Sequence, residues 1–451
     1  MCLMELKANN IPELLQIELT YQCNLNCIFC YNPLRNMIVD KNKIEKIVDK
    51  VADSKIPLVY LIGGEPSILG VKTLNKYIDK LSKTSSVAIV TNGFIKLEGI
   101  STNLAVMAVS LHGYDAESHE QFNGVKGSYE KALDSIRYYK SIGLNVRCVV
   151  VLSGYNYNVM DKILLNCIKA GADEIFIDRY EDGGIGATNS KEYTLKPTNA
   201  QFREALTQII KVRNMELIPK NHFGFGTAIP FCMDDRLFSE GLYSGCGAGT
   251  EFCAVTPDGD VRICNQSNKV YGNILEKDID EIWKDCNVKD YRSLQWVEEP
   301  CKDCKLLTVC QCGCRVDANT ECPYSIDYAL RDNLDVEIKE NIRKINGGEL
   351  TLKSDYEDYE NLDLSNTQQL RVDKFLNANQ YKNQYYLVMQ FQGVRIGKYE
   401  YELVRYIKQK GIFNVNELYE HFSELDSKTV MKFIKLLIFE EAVHIVGESN
   451  D

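Results

Sequence analysis

The chain has 451 residues, room for two to four domains at roughly 100–200 residues each. Its 52 basic and 63 acidic residues leave a net charge of −11, which disfavours nucleic acid and anionic membranes as partners. No run of about 18 apolar residues offers a membrane span, and the opening MCLMELKANN lacks the apolar stretch of a secretion signal, so a cytoplasmic location is expected.

The first part alternates strand and helix patterns. Leu15, Ile17 and Leu19 alternate with Gln16, Glu18 and Thr20, a strand. Ile44, Ile47, Val48 and Val51 then fall on one helix face. Further strands are predicted at 57–62, 87–90, 105–110, 146–152 and 174–178, most of them separated by helical stretches such as 127–141. Repeated βα units imply a parallel sheet with right-handed crossovers, whose active site gathers at the carboxyl ends of the strands. From about 231 to 345 cysteines cluster and regular patterns fade. Residues 349–363 hold six acids and one lysine and read as a solvated linker, which implies separable folding of the C-terminal part. From 384 on order returns. A hairpin is predicted near Gly393, then three short helix faces (Leu403/Val404/Ile407, Val415/Leu418/Phe422, Val430/Phe433/Ile434/Leu437) and a last strand at AVHIV.

Cysteine is the abnormal residue. An odd 17 in a chain without a secretion signal argues against a disulfide framework and for thiolates gathered around metal. The five histidines lie outside the cysteine groups, which disfavours mixed Cys/His zinc sites. The first group, Cys23-x3-Cys27-x2-Cys30, follows the first strand. Three thiolates on one tight loop can hold three irons of a [4Fe–4S] cube and leave one iron open. Structural zinc would want a fourth ligand nearby, and none follows.

This group, with the aromatic Phe29 before its last cysteine, resembles the signature of the radical S-adenosylmethionine (SAM) superfamily, over about residues 10–190. The resemblance implies that SAM chelates the open iron and yields a 5′-deoxyadenosyl radical, and that a flavodoxin or ferredoxin supplies the electron. Gly63-Gly64-Glu65-Pro66 after the second strand resembles the family's GGEP motif for the SAM amino group. Thr91 and Asn92 after the third strand and Ser110 after the fourth resemble further SAM contacts. One departure is Phe122-Asn123-Gly124, where relatives often read FRG; Arg147 and Arg179 are the replacement arginines to weigh against ordinary surface positions.

The second group spans Cys246 to Cys322 and resembles the SPASM domain of peptide-modifying radical SAM enzymes. Carried over, that pattern implies two auxiliary [4Fe–4S] clusters, one on Cys246, Cys253, Cys264 and Cys314, the other on Cys301, Cys304, Cys310 and Cys322, making three clusters in all. Two zinc sites of four thiolates are the competing reading. Of the remaining cysteines, Cys148 and Cys167 fit core patterns. Cys232 is undecided, and Cys312 is a spare ligand, a hydrogen-atom donor or a bystander. The tail resembles a winged helix. With eight Lys/Arg against ten Asp/Glu from 384 on, it lacks the basic face that DNA requires. It also resembles the module that takes a leader peptide as an added strand, with a dimerisation or packing domain as the alternative.

The expectation is therefore an α/β chain. A partial (β/α)6 radical SAM barrel would occupy 1–230, a SPASM domain 231–345, an acidic linker 346–380 and a winged-helix-like α+β module 381–451. Its expected function is oxidative cross-linking of a ribosomally made precursor peptide. Epimerisation and anaerobic sulfatase-type maturation are rivals, though Asn265 stands where the latter keeps an aspartate base. A zinc-binding winged-helix regulator is the alternative of another class.

Overall fold

The computed structural model describes residues 8–32, 34–189, 194–315, 325–352, 359 and 361–446. Six parallel strands form its centre: β1 (Leu14–Glu18), β2 (Leu58–Ile62), β3 (Ser86–Thr91), β4 (Val106–Ser110), β5 (Val146–Leu152) and β6 (Glu174–Arg179). They pair in chain order, as right-handed βα crossovers dictate. Helices α1 (Lys41–Ser54), α2 (Val71–Leu81), α3 (Ala116–Asn123), α4 (Ser128–Ser141) and α5 (Met160–Ala170) form the crossovers. α1 begins where Asp40 accepts the Asn42 amide, and it buries the Ile44, Ile47, Val48 and Val51 face predicted from its spacing.

Two faces of the sheet differ in chemistry. Leu15, Ile17, Val59, Leu61, Val87, Ile89, Met107 and Val109 join the helices in the main core. The alternate positions form the other, concave face: Gln16, Tyr60, Val90, Ser110, Val149, Phe176 and Asp178 are only half-buried. The sheet extends beyond the predicted strands. β7 (Phe223–Phe225) adds to β6, while β8 (Phe252–Val255) runs parallel to β1 and continues antiparallel into β9 (Asp260–Arg262) and β10 (Gly272–Asn273). These strands are two to four residues long, too short for an alternating pattern to register. α6 (Gly184–Asn189) and α7 (Asn199–Arg213) follow β6.

The tail builds two small antiparallel sheets with a core of their own. β11 (Leu370–Val372) lies between β15 (Ile412–Phe413) and β16 (Val443–Ile445), and β12 (Asn377–Tyr381), β13 (Gln384–Val388) and β14 (Gly393–Ile396) form a meander. Helices Lys398–Lys410, Val415–His421 and Ser427–Phe439 bury the three predicted faces against Leu370, Leu387 and Phe413. The end of the stretch expected as linker thus holds β11 and the start of β12, because Leu370 is a fully buried core residue.

The tail is also not free of the barrel. Ser86 Oγ donates to the Gln390 carbonyl (2.7 Å) and Gln390 Nε2 to the Ala105 carbonyl (3.0 Å). Phe375 and Phe391 pack on Ala88, Ala105 and Val106. Gly393 comes so close to Pro57 that a Cβ would lie 2.1 Å from the proline's Cβ. His222 ion-pairs with Glu441 at 3.4 Å. Pro57, Ser86, Ala105 and His222 all stand at the amino ends of β2, β3, β4 and β7. The tail therefore closes the amino-terminal mouth of the barrel, the end opposite the cysteine loop after β1. These contacts tie the tail to the barrel even though it has its own core.

Candidate functional site

The loop after β1 carries Cys23, Cys27 and Cys30, all half-buried. Protein groups hold it from several sides. The Asn26 and Ile28 amides donate to the Asn123 and Phe122 carbonyls (2.8 and 2.9 Å), and the Gly186 amide donates to the Cys30 carbonyl (2.9 Å). Arg35 donates to the Cys27 carbonyl (2.5 Å) and the Leu25 carbonyl (3.3 Å). Burial pushes the Cys23 and Cys27 thiols up, and the neighbouring thiols add to the effect. A metal bound there would hold them as thiolates and release their protons to solvent.

The motif after β2 is stitched to that loop. The Gly64 amide donates to the Thr20 carbonyl (2.6 Å) and the Glu65 amide to the Gln22 carbonyl (2.8 Å). A Cβ on Gly63 would fall 2.4 Å from Thr20 O, and one on Gly64 2.2 Å from Gln22 O. The glycines are thus required by the approach of two backbones. Glu65 is 1% exposed and its carboxylate accepts from the Ser67 amide (3.0 Å), Thr91 Oγ1 (2.6 Å) and the Asn92 amide (2.7 Å). One carboxylate thereby locks the ends of β2 and β3 together. Pro66 starts the short 3-10 turn Pro66–Leu69. Asn92 Nδ2 donates to Asn24 Oδ1 (2.8 Å) and lies 3.9 Å from Cys23 Sγ. Among the described residues, Asn24 Nδ2 is buried without a partner, a donor left for a ligand.

Phe29 sets its ring edge-on to His112 (4.7 Å) and Phe122 (5.8 Å). His112 accepts the Val151 amide, and burial holds its imidazole neutral by pushing its pKa down to about 3. Ser110 ends β4 on the concave face. Asn123 does not substitute for an arginine: its side chain closes the turn onto Val125 and Ser128. Nor are Arg147 and Arg179 surface residues. Arg147 is buried against Glu174 and donates to the Tyr60 hydroxyl (2.8 Å). Arg179 is buried between Glu181 and Asp327. Arg147 and Glu174 face each other on β5 and β6, and Asp327 reaches Arg179 from a loop 148 residues on, partners that sequence spacing does not reveal. Sequence reasoning also missed Asp178. It is a concave-face carboxyl that burial pushes up to about 6, with only a 3.3 Å bond from Thr227.

The second cysteine group comes to the same end of the barrel. The Tyr31 hydroxyl donates to the Gly63 carbonyl (3.1 Å) and shares a hydrogen bond with Asn265, so the loop after Cys264 touches the first cysteine loop. Glu18 at the end of β1 pairs with Arg262 on β9 (2.5 Å). Cys246 and Cys264 lie in one small buried cluster. Arg315, 0% exposed, donates to the Cys246 and Ala248 carbonyls, and its Nε and Nη1 have no nitrogen or oxygen partner among the described residues. A buried, under-satisfied guanidinium beside thiols fits an anionic cluster. Cys253 is not brought to them. It pairs with Leu15 in register and shares the core-facing side of the sheet, opposite to the concave face. Asp327, besides binding Arg179, accepts the Cys314 amide (2.9 Å), and its own amide donates to the Cys312 carbonyl (3.1 Å). Cys301, Cys304 and Cys310 line one pocket, together with Cys232 and Cys312. Cys322 lies outside the described residues. Cys148 and Cys167 are core residues, as their patterns predict.

Comparison with known proteins agrees with this geometry. A family model described as the radical SAM superfamily matches residues 17–165, and one described as an iron–sulfur cluster-binding domain, SPASM, matches 246–305. An AdoMet-dependent heme synthase of Methanosarcina barkeri is 27% identical over 345 residues, covering 68% of this chain and 93% of the relative. A PqqA peptide cyclase of Rhizobium meliloti is 23% identical over 361 residues, covering 73% and 91%. Among solved structures, Streptococcus suis SuiB bound to its precursor peptide SuiA superimposes with a TM-score of 0.57 at 21% identity, over 72% of this chain and 77% of that one. The structure of anSMEcpe with AdoMet and a peptide gives 0.54 at 17% identity, over 74% and 97%. With a three-thiol loop at the carboxyl end of β1 and both domains matched, the chain carries a radical SAM domain and a SPASM domain and is a radical SAM enzyme that uses iron–sulfur clusters and S-adenosylmethionine.

Proposed function

We propose that this enzyme is a peptide maturase that removes hydrogen from a ribosomally made precursor peptide and forms a cross-link, thioether or carbon–carbon. The observation that carries the reading is the stitching of the Cys23–Cys30 loop to Gly64, Glu65 and Asn92 at the ends of three successive strands. Cys23, Cys27 and Cys30 would hold one [4Fe–4S] cluster, with Phe29, Gly63, Gly64, Glu65, Pro66, Thr91, Asn92 and Ser110 as the surrounding SAM site. Bound there, cluster and SAM supply a 5′-deoxyadenosyl radical for hydrogen abstraction, and auxiliary clusters supply an acceptor for the electron left on the substrate. Cys246, Cys264 and Cys314 are assigned to the first auxiliary cluster and Cys301, Cys304 and Cys310 to the second. Arg315 would balance charge at the first.

The protein's own part is positioning and exclusion of water. Arg35 and the Asn123 turn fix the loop, Glu65 fixes the ends of β2 and β3, and the tail shuts the far mouth of the barrel. A hydrogen-donor role for Cys312 requires an open thiol, and this one is 1% exposed. Sulfatase-type chemistry requires a base where Asn265 offers an amide already engaged with Tyr31. PqqA peptide cyclase and peptide-bound SuiB among the relatives support a peptide substrate. A flavodoxin or ferredoxin is the expected electron donor, in the cytoplasm. A leader peptide added to a tail sheet would have to pass the barrel to reach the cysteine loop. A six-residue strand alone spans roughly 20 Å, so leader and modified residue would be well separated.

A small-molecule substrate is the second reading, favoured by the tail's place away from the cysteine loop and by the heme synthase relative. The test is anaerobic incubation of reduced enzyme with SAM and candidate precursor peptides taken from short open reading frames found beside its gene. A product lighter by two hydrogens supports the proposal. An unchanged mass with deuterium uptake from heavy water means epimerisation. Formation of 5′-deoxyadenosine indifferent to peptide favours the small molecule, and a colourless zinc protein would end the radical reading altogether.

A further inference from the structure

The pocket between the short turn Phe231–Met233, residues 300–312 and the helix Val336–Gly347 holds more thiols than one cube can bind. Cys232, Cys301, Cys304, Cys310 and Cys312 all line it. The rest of its wall is Phe231, Pro300 and leucine or isoleucine side chains, so among the described residues thiols are the ligating groups it offers. Motif spacing nominates Cys322 as the fourth ligand, beyond the described residues. We propose instead that Cys312 is the fourth thiolate of the second auxiliary cluster, completing Cys301, Cys304 and Cys310 from a single run of chain. This rests on the reading of the pocket as a cluster site.

The backbone around Cys312 is the first support. Gln311, Cys312 and Gly313 are consecutive left-handed residues, with φ of 53°, 67° and 74°. An L residue there is strained, whereas glycine is at ease. A cysteine kept where glycine is favoured signals a use for its sulfur. The strained turn is pinned by the Asp327 amide on the Cys312 carbonyl and by Gly313, whose Cβ would collide with Asp327 and Pro230. The Cys312 thiol then meets that of Cys301 in a hydrogen bond and lies beside Cys304 and Cys310. Cys232 lies in the same pocket on a turn without positive φ, between the core residues Phe231 and Met233. It has packing enough to explain it.

The variants Cys312→Gly, Cys322→Ser and Cys232→Ala test the assignment, read by iron per chain after anaerobic reconstitution and by electron paramagnetic resonance of the reduced protein. Glycine relieves the left-handed strain, so Cys312→Gly folds at least as readily as the parent. It should lose about four of roughly twelve irons and one auxiliary signal, while the SAM-cluster signal remains. Cys322→Ser and Cys232→Ala should keep the parent's iron and line shape. Full iron in Cys312→Gly, or loss of iron in either other variant, would overturn the assignment. A parent protein that takes up zinc and no iron would instead overturn the functional reading on which it rests.

Discussion

Gly64→Ala should disable the enzyme without unfolding it. Gly64 is absent from the positive-φ residues, so alanine meets no backbone strain there and the effect is steric. Its Cβ would stand 2.2 Å from Gln22 O and 2.5 Å from Tyr21 O, with Gln22 C at 2.7 Å. Two backbone carbonyls must therefore retreat by about 1 Å, a typical overpacking cost of about 1–3 kcal/mol. The Gly64–Thr20 and Glu65–Gln22 hydrogen bonds weaken with them, about 1 kcal/mol each. The total, about 3–5 kcal/mol, is below the roughly 5–15 kcal/mol that holds a domain together. The strain falls on residues 20–22, directly before Cys23. A displacement of about 1 Å at a reacting centre costs on the order of 10²-fold in rate. Gly224→Ala is the control, since nothing lies within 4 Å of its added Cβ. The assay is 5′-deoxyadenosine formation by anaerobic, reduced enzyme, with circular dichroism as the check on folding. A Gly64→Ala enzyme that cleaves SAM at the parental rate would refute the claim that this loop contact positions the site.

Cys27→Ala should abolish 5′-deoxyadenosine formation while most auxiliary iron stays, and SAM cleavage at the normal rate by this variant would sink the assignment of the first loop. Asp178→Asn removes a carboxyl pushed from 3.8 up to about 6 by burial. The folded state then binds more protons than the unfolded one across that window, so the parent loses stability as pH rises from about 4 to 6, and the variant, lacking this loss, should be about 1–3 kcal/mol more stable at neutral pH; parallel stability curves would contradict it. Phe391→Ala strips an aromatic ring from Ala88, Ala105 and Val106 at the barrel mouth and should lower the thermal midpoint by a few degrees. An unchanged calorimetric midpoint would mean that the tail merely touches the barrel.

Local pattern in the sequence was enough for the six central strands and their order, because a strand buried against helices on one face must alternate as Leu15, Ile17 and Leu19 do. It was enough for the cysteine loop, since three thiols within eight residues are neighbours in any fold. The tail's three helix faces were equally legible. What sequence spacing could not settle was which distant groups meet. Cys253 matches a ligand spacing, yet its register with Leu15 turns it to the helix-covered side. Arg147 and Arg179 looked free until Glu174 and Asp327 came to them from a facing strand and a distant loop. Cys312 looked like a leftover until folding set it among four other thiols. The acidic stretch marked a boundary, but charge along a segment says nothing of the apolar mouth that Phe375 and Phe391 cover. Periodicity reports what a residue's neighbours in the chain allow. Partners far apart in the chain are chosen by packing, and packing exists only once the chain is folded.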